Sequence, residues 1–218
     1  KSDHFDHYQS VAEAFAQQIG IDPWLVSPMS RQCGKVNFKE REGSECLSKN
    51  VSKLLAAIQE KYDEYGIDKE PFVVVKSDSG TYGMGVMMVK SAEEIETLNR
   101  KQRTKMASSK EGLVVDNVLV QEGVYTFETI GEEGAVAEPV VYMMDRFVVG
   151  GFYRVHTGRG ENENLNAPGM HFEPLAFAQS CITPDKQGEP NAEPNRFYAY
   201  GVIARLALLA AARELAAL

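Results

Sequence analysis

Apolar residues recur at helical spacing over 3–19, where Phe5, Tyr8, Val11, Ala12, Phe15 and Ile19 share one face and Gly20 supplies a stop. Prolines at 23 and 28 then break regularity. A second helical stripe, Leu54, Leu55, Ile58 and Tyr62, predicts a helix over 46–66 that ends at Gly66. The β-branched run of residues 72–75 predicts a buried strand, and Val86 to Val89 a second one. Ser91 with Glu94 reads as a capping box opening a polar helix that reaches about Ser108. Strands are expected over 117–122, 137–144 and 147–154, followed by an irregular stretch at 155–171 rich in Gly, Pro and Asn. A proline-punctuated loop covers 183–195. An apolar helix at 197–217 closes the chain, with Val202, Leu206 and Leu209 as its core positions. The order predicts an α+β fold, with adjacent antiparallel strands in the middle.

Composition narrows the chemistry. The 218 residues include 23 Lys and Arg against 31 Asp and Glu, for a net charge of −8. Such a chain is a poor general binder of nucleic acid, where affinity depends on cations neutralising phosphates. No stretch has 18 uninterrupted apolar residues, which argues against a membrane span. Cys33, Cys46 and Cys181 show no metal or redox spacing, so reduced thiols in a cytoplasmic setting are expected. The chain starts without Met and stops inside a helical pattern, which suggests a piece of a longer protein.

The most informative segment is 72–89. A strand ends at Lys76; Gly80, Gly83 and Gly85 punctuate a loop; a second strand leaves. Glycines let backbone N–H groups approach an anion, and a lysine at the strand end places an ammonium beside it. The lysine precedes the glycines and a strand follows them, which excludes the Walker loop and the dinucleotide fingerprint. On its own the loop fits an ordinary hairpin turn equally well. About 45 residues further, Gln121, Glu122, Gly123 and Val124 end a strand in an acidic turn whose backbone groups could read a base. Arg154 then ends a hairpin, and 158–170 forms a second loop of Gly, Arg and Asn.

These segments together resemble the ATP-grasp fold, with glutathione synthetase similar over Glu138 to Gly169. The longer runs are similar to the proteobacterial-type glutamate–cysteine ligase (γ-glutamylcysteine synthetase) family: Lys-Ser-Asp-Ser-Gly-Thr-Tyr-Gly-Met-Gly at 76–85, Gln-Glu-Gly-Val-Tyr-Thr-Phe-Glu at 121–128, Gly-Gly-Phe-Tyr-Arg-Val-His-Thr-Gly-Arg-Gly at 150–160 and Glu-Asn-Leu-Asn-Ala-Pro-Gly-Met at 163–170. The resemblance implies an ATP-grasp-like α+β protein of mostly antiparallel sheets flanked by helices. Residues 1–70 would be a helical lead-in and linker and 71–218 the nucleotide-binding region, together the C-terminal half of the family's chain.

The activity it implies is ATP-driven joining of the γ-carboxylate of glutamate to the amine of cysteine through an acyl phosphate, the first step of glutathione biosynthesis. Another ATP-grasp carboxylate–amine ligase and an inactive nucleotide-binding fragment stand as alternatives. ATP and Mg²⁺ are the implied cofactors, with glutamate and cysteine as small-molecule partners and homo-oligomerisation left open. Lys76 and Arg154 match catalytic positions. Lys76, Gly80, Gly83, Gly85, Gln121, Glu122, Gly123, Val124, Arg154 and Asn164 match nucleotide-binding ones. Metal ligands are unassigned: the expected element lies in the N-terminal half, and Glu138 and Asn166 are weak candidates. A second phosphate-binding lysine is open among Lys35, Lys49 and Lys53.

Blander readings apply to other features. Arg100, Lys101, Arg103 and Lys105 fit a solvated helix face, as do His4 and His7 with Asp3 and Asp6. Met84, Met87, Met88, Met143 and Met144 fit strand packing rather than soft-metal binding. His156 and His171 border the second loop without a decided role.

Overall fold

The computed structural model describes residues 1–78, 85–107, 117–175 and 195–217. Its elements are α1 (Ser2–Ile19), a 3-10 turn (Pro23–Leu25), β1 (Ser30–Cys33), α2 (Ser44–Tyr65), β2 (Val73–Ser77), β3 (Val86–Val89), α3 (Ala92–Glu96), α4 (Arg100–Ala107), β4 (Val118–Glu122), β5 (Thr129–Ile130), β6 (Ala135–Met144), β7 (Phe147–His156), β8 (His171–Pro174) and α5 (Arg196–Ala216). The strands form two antiparallel four-stranded sheets, ordered β1-β4-β2-β3 and β5-β6-β7-β8. The fold class is therefore α+β. Two compact units divide the chain: Lys1–Phe5 with Ser27–Tyr125, and Asp6–Val26 with Thr126–Leu218. Among the described residues, no helix is long and apolar enough to cross a membrane.

In the first unit, α2 covers one face of its sheet. It buries Leu47, Val51, Leu54, Ile58 and Tyr62 at helical spacing, while Leu55 lies half-buried at the stripe's margin. Each of the aliphatic side chains contributes about 1.5–3 kcal/mol by leaving water. Gly66 ends the helix in the left-handed region at φ 64°, and Ile67 N–H returns to Tyr62 C=O at 2.8 Å. Register fixes which strand residues meet α2. Cys33 pairs with Val118, Val118 with Ser77, Val120 with Val75 and Glu122 with Val73, so these seven side chains share a face. Cys33 touches Cys46 and Asn50 of α2, which identifies that face as the helix-covered one.

In the second unit, Ala135, Ala137, Tyr153, Val155, Leu175 and Phe197 form a core between the sheet and α5. A second cluster joins the two ends of the chain: Tyr8, Val11 and Ala12 of α1 pack with Leu206 and Ala210 of α5. Asn195 caps α5 by accepting from Tyr198 N–H at 3.2 Å.

Several expectations change. The single helix from Ser91 is two helices, because Asn99 starts a new one. Its side chain accepts from Gln102 N–H and its own N–H donates to the Gln102 side chain, both at 2.9 Å, a reciprocal box three residues apart. At Ser91 the expected box is incomplete: Glu94 accepts from Lys90 N–H, and the Ser91 side chain does not cap the helix. Leu209 is 47% exposed, and Ala210 takes the core position. Ile19 is likewise exposed, with Ala16 buried on α1 instead. The strand at 72–75 begins at Val73 and alternates, with Val74 and Lys76 half-buried on the face away from α2. The expected loop at 183–195 lies outside the described residues apart from Asn195, and the end of the helix expected at Ser108 lies outside them too.

Candidate functional site

Lys76 is the fourth residue of β2, on the face opposite α2. Val74 pairs with Gln121 and Lys76 with Leu119, so Lys76 and Gln121 stand on the same face of neighbouring strands, diagonally related. There the Lys76 ammonium donates to the Gln121 side-chain carbonyl and lies 5.6 Å from the centre of the Phe5 ring. The Lys1 ammonium donates to the carbonyls of Ser77 and Asp78 at 2.6 and 3.0 Å. Two cationic side chains thus reach the end of β2. Ser77 Oγ is buried with no hydrogen-bond partner among the described residues.

Gly85 closes the β2–β3 hairpin, its carbonyl accepting from Ser77 N–H at 2.8 Å. Its φ is +62°, and a Cβ at this position would lie 2.9 Å from Ser77 Cβ. Backbone conformation and close approach together leave no place for a side chain. Gly80 and Gly83 lie outside the described residues, as does Met84.

The β4 end is built around backbone. Glu122 turns its carboxylate to the α2 side, where it accepts from Met29 N–H at 2.8 Å. Its own N–H donates to Met29 C=O, and Gly123 N–H to Phe72 C=O, both at 2.8 Å. Any Cβ on Gly123 would come within 2.1 Å of the Phe72 ring, which packs edge-on against Tyr125. Gly123 is therefore required by packing. Val124 follows, 67% exposed. Tyr62 of α2 is pushed up to about 12 by burial first, then by the nearby Glu122 charge.

Arg154 lies in β7 of the second unit, paired with Glu138 on one side and Phe172 on the other. Its guanidinium donates to Glu138 at 3.0 Å, while its Nε is buried without a partner among the described residues. Along the same face, Tyr142, Phe152 and Phe172 make a row of ring contacts, 5.7 and 5.0 Å between centroids. A half-exposed cation thus ends an aromatic strip.

The 158–170 loop is held by its own groups. Glu163 accepts from Gly160 N–H at 2.8 Å and from Arg159 at 2.6 Å, and these interactions hold its carboxyl below the usual range. Asn164 accepts from Asn166 N–H at 3.0 Å, an Asx turn, and Leu165 is fully buried as the anchor. His156 fastens both ends. Its Nδ1 accepts from Gly158 N–H at 3.0 Å, and its Nε2 lies 3.1 Å from Pro168 C=O. With Nδ1 an acceptor, Nε2 carries the proton. The ring thus shapes the loop. This role of His156, like the pairing of Lys76 with Gln121, has no signal in the sequence pattern, because strand register and loop path alone decide it. His171 is exposed, 3.5 Å from Glu173.

Of the remaining candidates, Asn166 contributes its backbone N–H to the Asx turn. Among the described residues, no three His, Cys, Asp or Glu side chains converge as a metal site. Arg103 donates to Leu98 C=O at 3.1 Å and, with Arg41, lines a cavity of about 160 Å³ beside Leu47 and Ile95. Neither Lys76 nor Arg154 lines it.

The GshA family, described as glutamate-cysteine ligase, matches residues 1–215. The chain belongs to the glutamate-cysteine ligase family. A crystal structure from Methylobacillus flagellatus KT, of a protein bearing the provisional name gamma-glutamylcysteine synthetase, superimposes with a TM-score of 0.86 at 63% identity. That similarity covers 99% of this chain and 50% of the other, so the chain spans about half the length of that relative. No curated protein matches it. Membership in the glutamate-cysteine ligase family agrees with the resemblance read from the 76–85, 121–128 and 150–170 runs.

Proposed function

We propose that this chain is the nucleotide-binding half of an ATP-dependent ligase that joins the γ-carboxylate of glutamate to the amine of cysteine. The observation that carries this reading is the family match across residues 1–215. In the reaction, a glutamate γ-carboxylate oxygen attacks the γ-phosphorus of ATP, and ADP leaves. The cysteine amine then attacks the acyl carbon, phosphate departs and the amine proton is lost. No protein nucleophile is needed, so the protein's contribution is position and charge.

Within that reading Lys76 holds phosphate oxygens, exchanging its Gln121 partner for the nucleotide. The segment with Gly80, Gly83 and Gly85 would close over the phosphates. Backbone groups of Gln121, Glu122, Gly123 and Val124 meet the base; the Glu122 carboxylate, bonded to Met29, keeps that strand end in place. Arg154 stabilises charge on the transferred phosphoryl group, a task suited to its fork of donors. Its buried Nε, without a partner among the described residues, supports this, since an unmet donor there costs free energy until an acceptor arrives. Asn164 shapes the adjoining loop. Residues 71–218 form the nucleotide-binding region, after a helical lead-in over 1–70. Mg²⁺ would supply charge neutralisation at the phosphates. The described residues offer no convergent ligand set for it, and Glu138 is already paired with Arg154, so no ligand is assigned to this chain. The same reading places the protein in the cytoplasm and ATP-grasp-like in fold.

The test has two arms. Mg-ATP at 100 times its dissociation constant should stabilise this chain by about 2.7 kcal/mol, read as a rise in Tm. Lys76→Ala should abolish that rise while leaving the unliganded Tm near its starting value. In the full-length protein, Lys76→Ala and Arg154→Ala should each lower glutamate- and cysteine-dependent ADP release at least tenfold. Wild-type turnover in either variant sinks its assigned role. ADP release indifferent to cysteine, or supported only by another acid and amine, sinks the ligase assignment.

A further inference from the structure

Cys33 and Cys46 are distant in pattern but adjacent in space. Cys33 ends β1 and is 2% exposed, whereas Cys46 lies in the first turn of α2 and is open to solvent. Both are reduced, with their sulfurs 3.9 Å apart. A single amide serves both: Asn50 Nδ2 donates to Cys33 Sγ at 3.0 Å and stands 3.9 Å from Cys46 Sγ. The same amide reaches Gln32 C=O at 3.2 Å, which ties the helix to the strand beside the sulfurs. Sulfurs in a disulfide are about 2.05 Å apart, so bonding requires an approach of roughly 2 Å. Of the two side chains, Cys46 is the solvent-exposed one.

We propose that Cys33 and Cys46 form a modification site that takes up oxidising equivalents from small-molecule disulfides. The exposed Cys46 thiolate attacks one sulfur of R–S–S–R, forming a mixed disulfide and releasing one thiol. Cys33, having given its proton to solvent, attacks Cys46 Sγ, breaks the mixed disulfide and expels the second thiol. Two protein thiols and one R–S–S–R become one protein disulfide and two R–SH. The order follows from access, since Cys33 is buried and burial pushes its thiol up. The bond would pin β1 to α2. β1 pairs through Ser30 with Gln121, the residue that holds Lys76, so the bond fixes the outer edge of that sheet.

The test uses the chain with Cys181→Ser, so that only these two thiols report, and 5,5′-dithiobis(2-nitrobenzoate) as the disulfide. The expected result is release of two thionitrobenzoates per folded chain, with no adduct retained and a mass lower by two hydrogens. Cys33→Ser should instead release one and keep a stable adduct on Cys46. Oxidation should raise Tm by several degrees, and dithiothreitol should reverse it. The proposal is overturned if the native pair keeps one or two adducts, or if the product is a disulfide between two chains. Mass spectrometry of the native pair decides without any variant, so a misfolded Cys33→Ser protein leaves the test intact.

Discussion

A Cβ on Gly123 would sit 2.1 Å from the Phe72 ring, a distance no side chain tolerates. Gly123→Ala therefore forces Phe72 out of its buried place against Tyr125. The expected cost is about 1–3 kcal/mol, the usual range for overpacking. Urea midpoints would measure it. Unchanged stability with lost nucleotide binding would shift the glycine's purpose from packing to the ligand. A second residue-scale effect concerns Tyr153, whose hydroxyl donates to buried Glu128 at 2.8 Å. Burial first, then that hydrogen bond and the Glu128 charge, pushes Tyr153 up to about 12. The folded state thus keeps a proton that the unfolded chain loses near pH 10. Its contribution is complete below pH 10 and falls away between pH 10 and about 12. Tyr153→Phe should flatten that part of the stability–pH curve; an unaltered slope would show that Tyr153 does not cause it. Among the candidate residues, Lys76 and Arg154 could be placed on strands from sequence alone. Their partners could not, because Gln121 and Glu138 reach them only through register.

At the scale of elements, the long helices declared themselves by periodicity and by Gly20 and Gly66, whose left-handed backbone ends each run. Short edge strands did not. β1, Ser30–Cys33, has one buried residue in four, and β8, His171–Pro174, has none; their identity comes from the neighbours they pair with. The 92–107 segment shows how a local signal misleads when a stronger one follows it. Asn99 and Gln102 satisfy one another's N–H groups, and that exchange starts α4 where a continuous helix was expected. Asn99→Ala removes the acceptor for Gln102 N–H and should cost about 1 kcal/mol. Hydrogen exchange should then quicken at Gln102 and Arg103 before any change in α2. Equal quickening across the first unit would mean that the cap serves more than its own helix. The cysteine pair belongs at this scale too: the thiols are 13 positions apart in sequence, and only the seating of α2 on β1 brings them to 3.9 Å.

For the molecule as a whole, the chain order within the second unit matters. Its core cluster joins Tyr8, Val11 and Ala12, near one end of the chain, to Leu206 and Ala210, near the other. During synthesis the α1 stripe emerges before its partner helix. Almost two hundred residues must be made before that stripe can be covered, whereas β6 and β7 pair across a short turn as soon as both are out. Until α5 is made, α1 is an unsatisfied apolar surface, the kind of surface that chaperones bind and that seeds aggregation. Chains stopped before Arg196 should scatter light and bind a hydrophobic dye, and Tyr8→Lys should suppress both. Completion of α5 thus sets when the α1 stripe is covered.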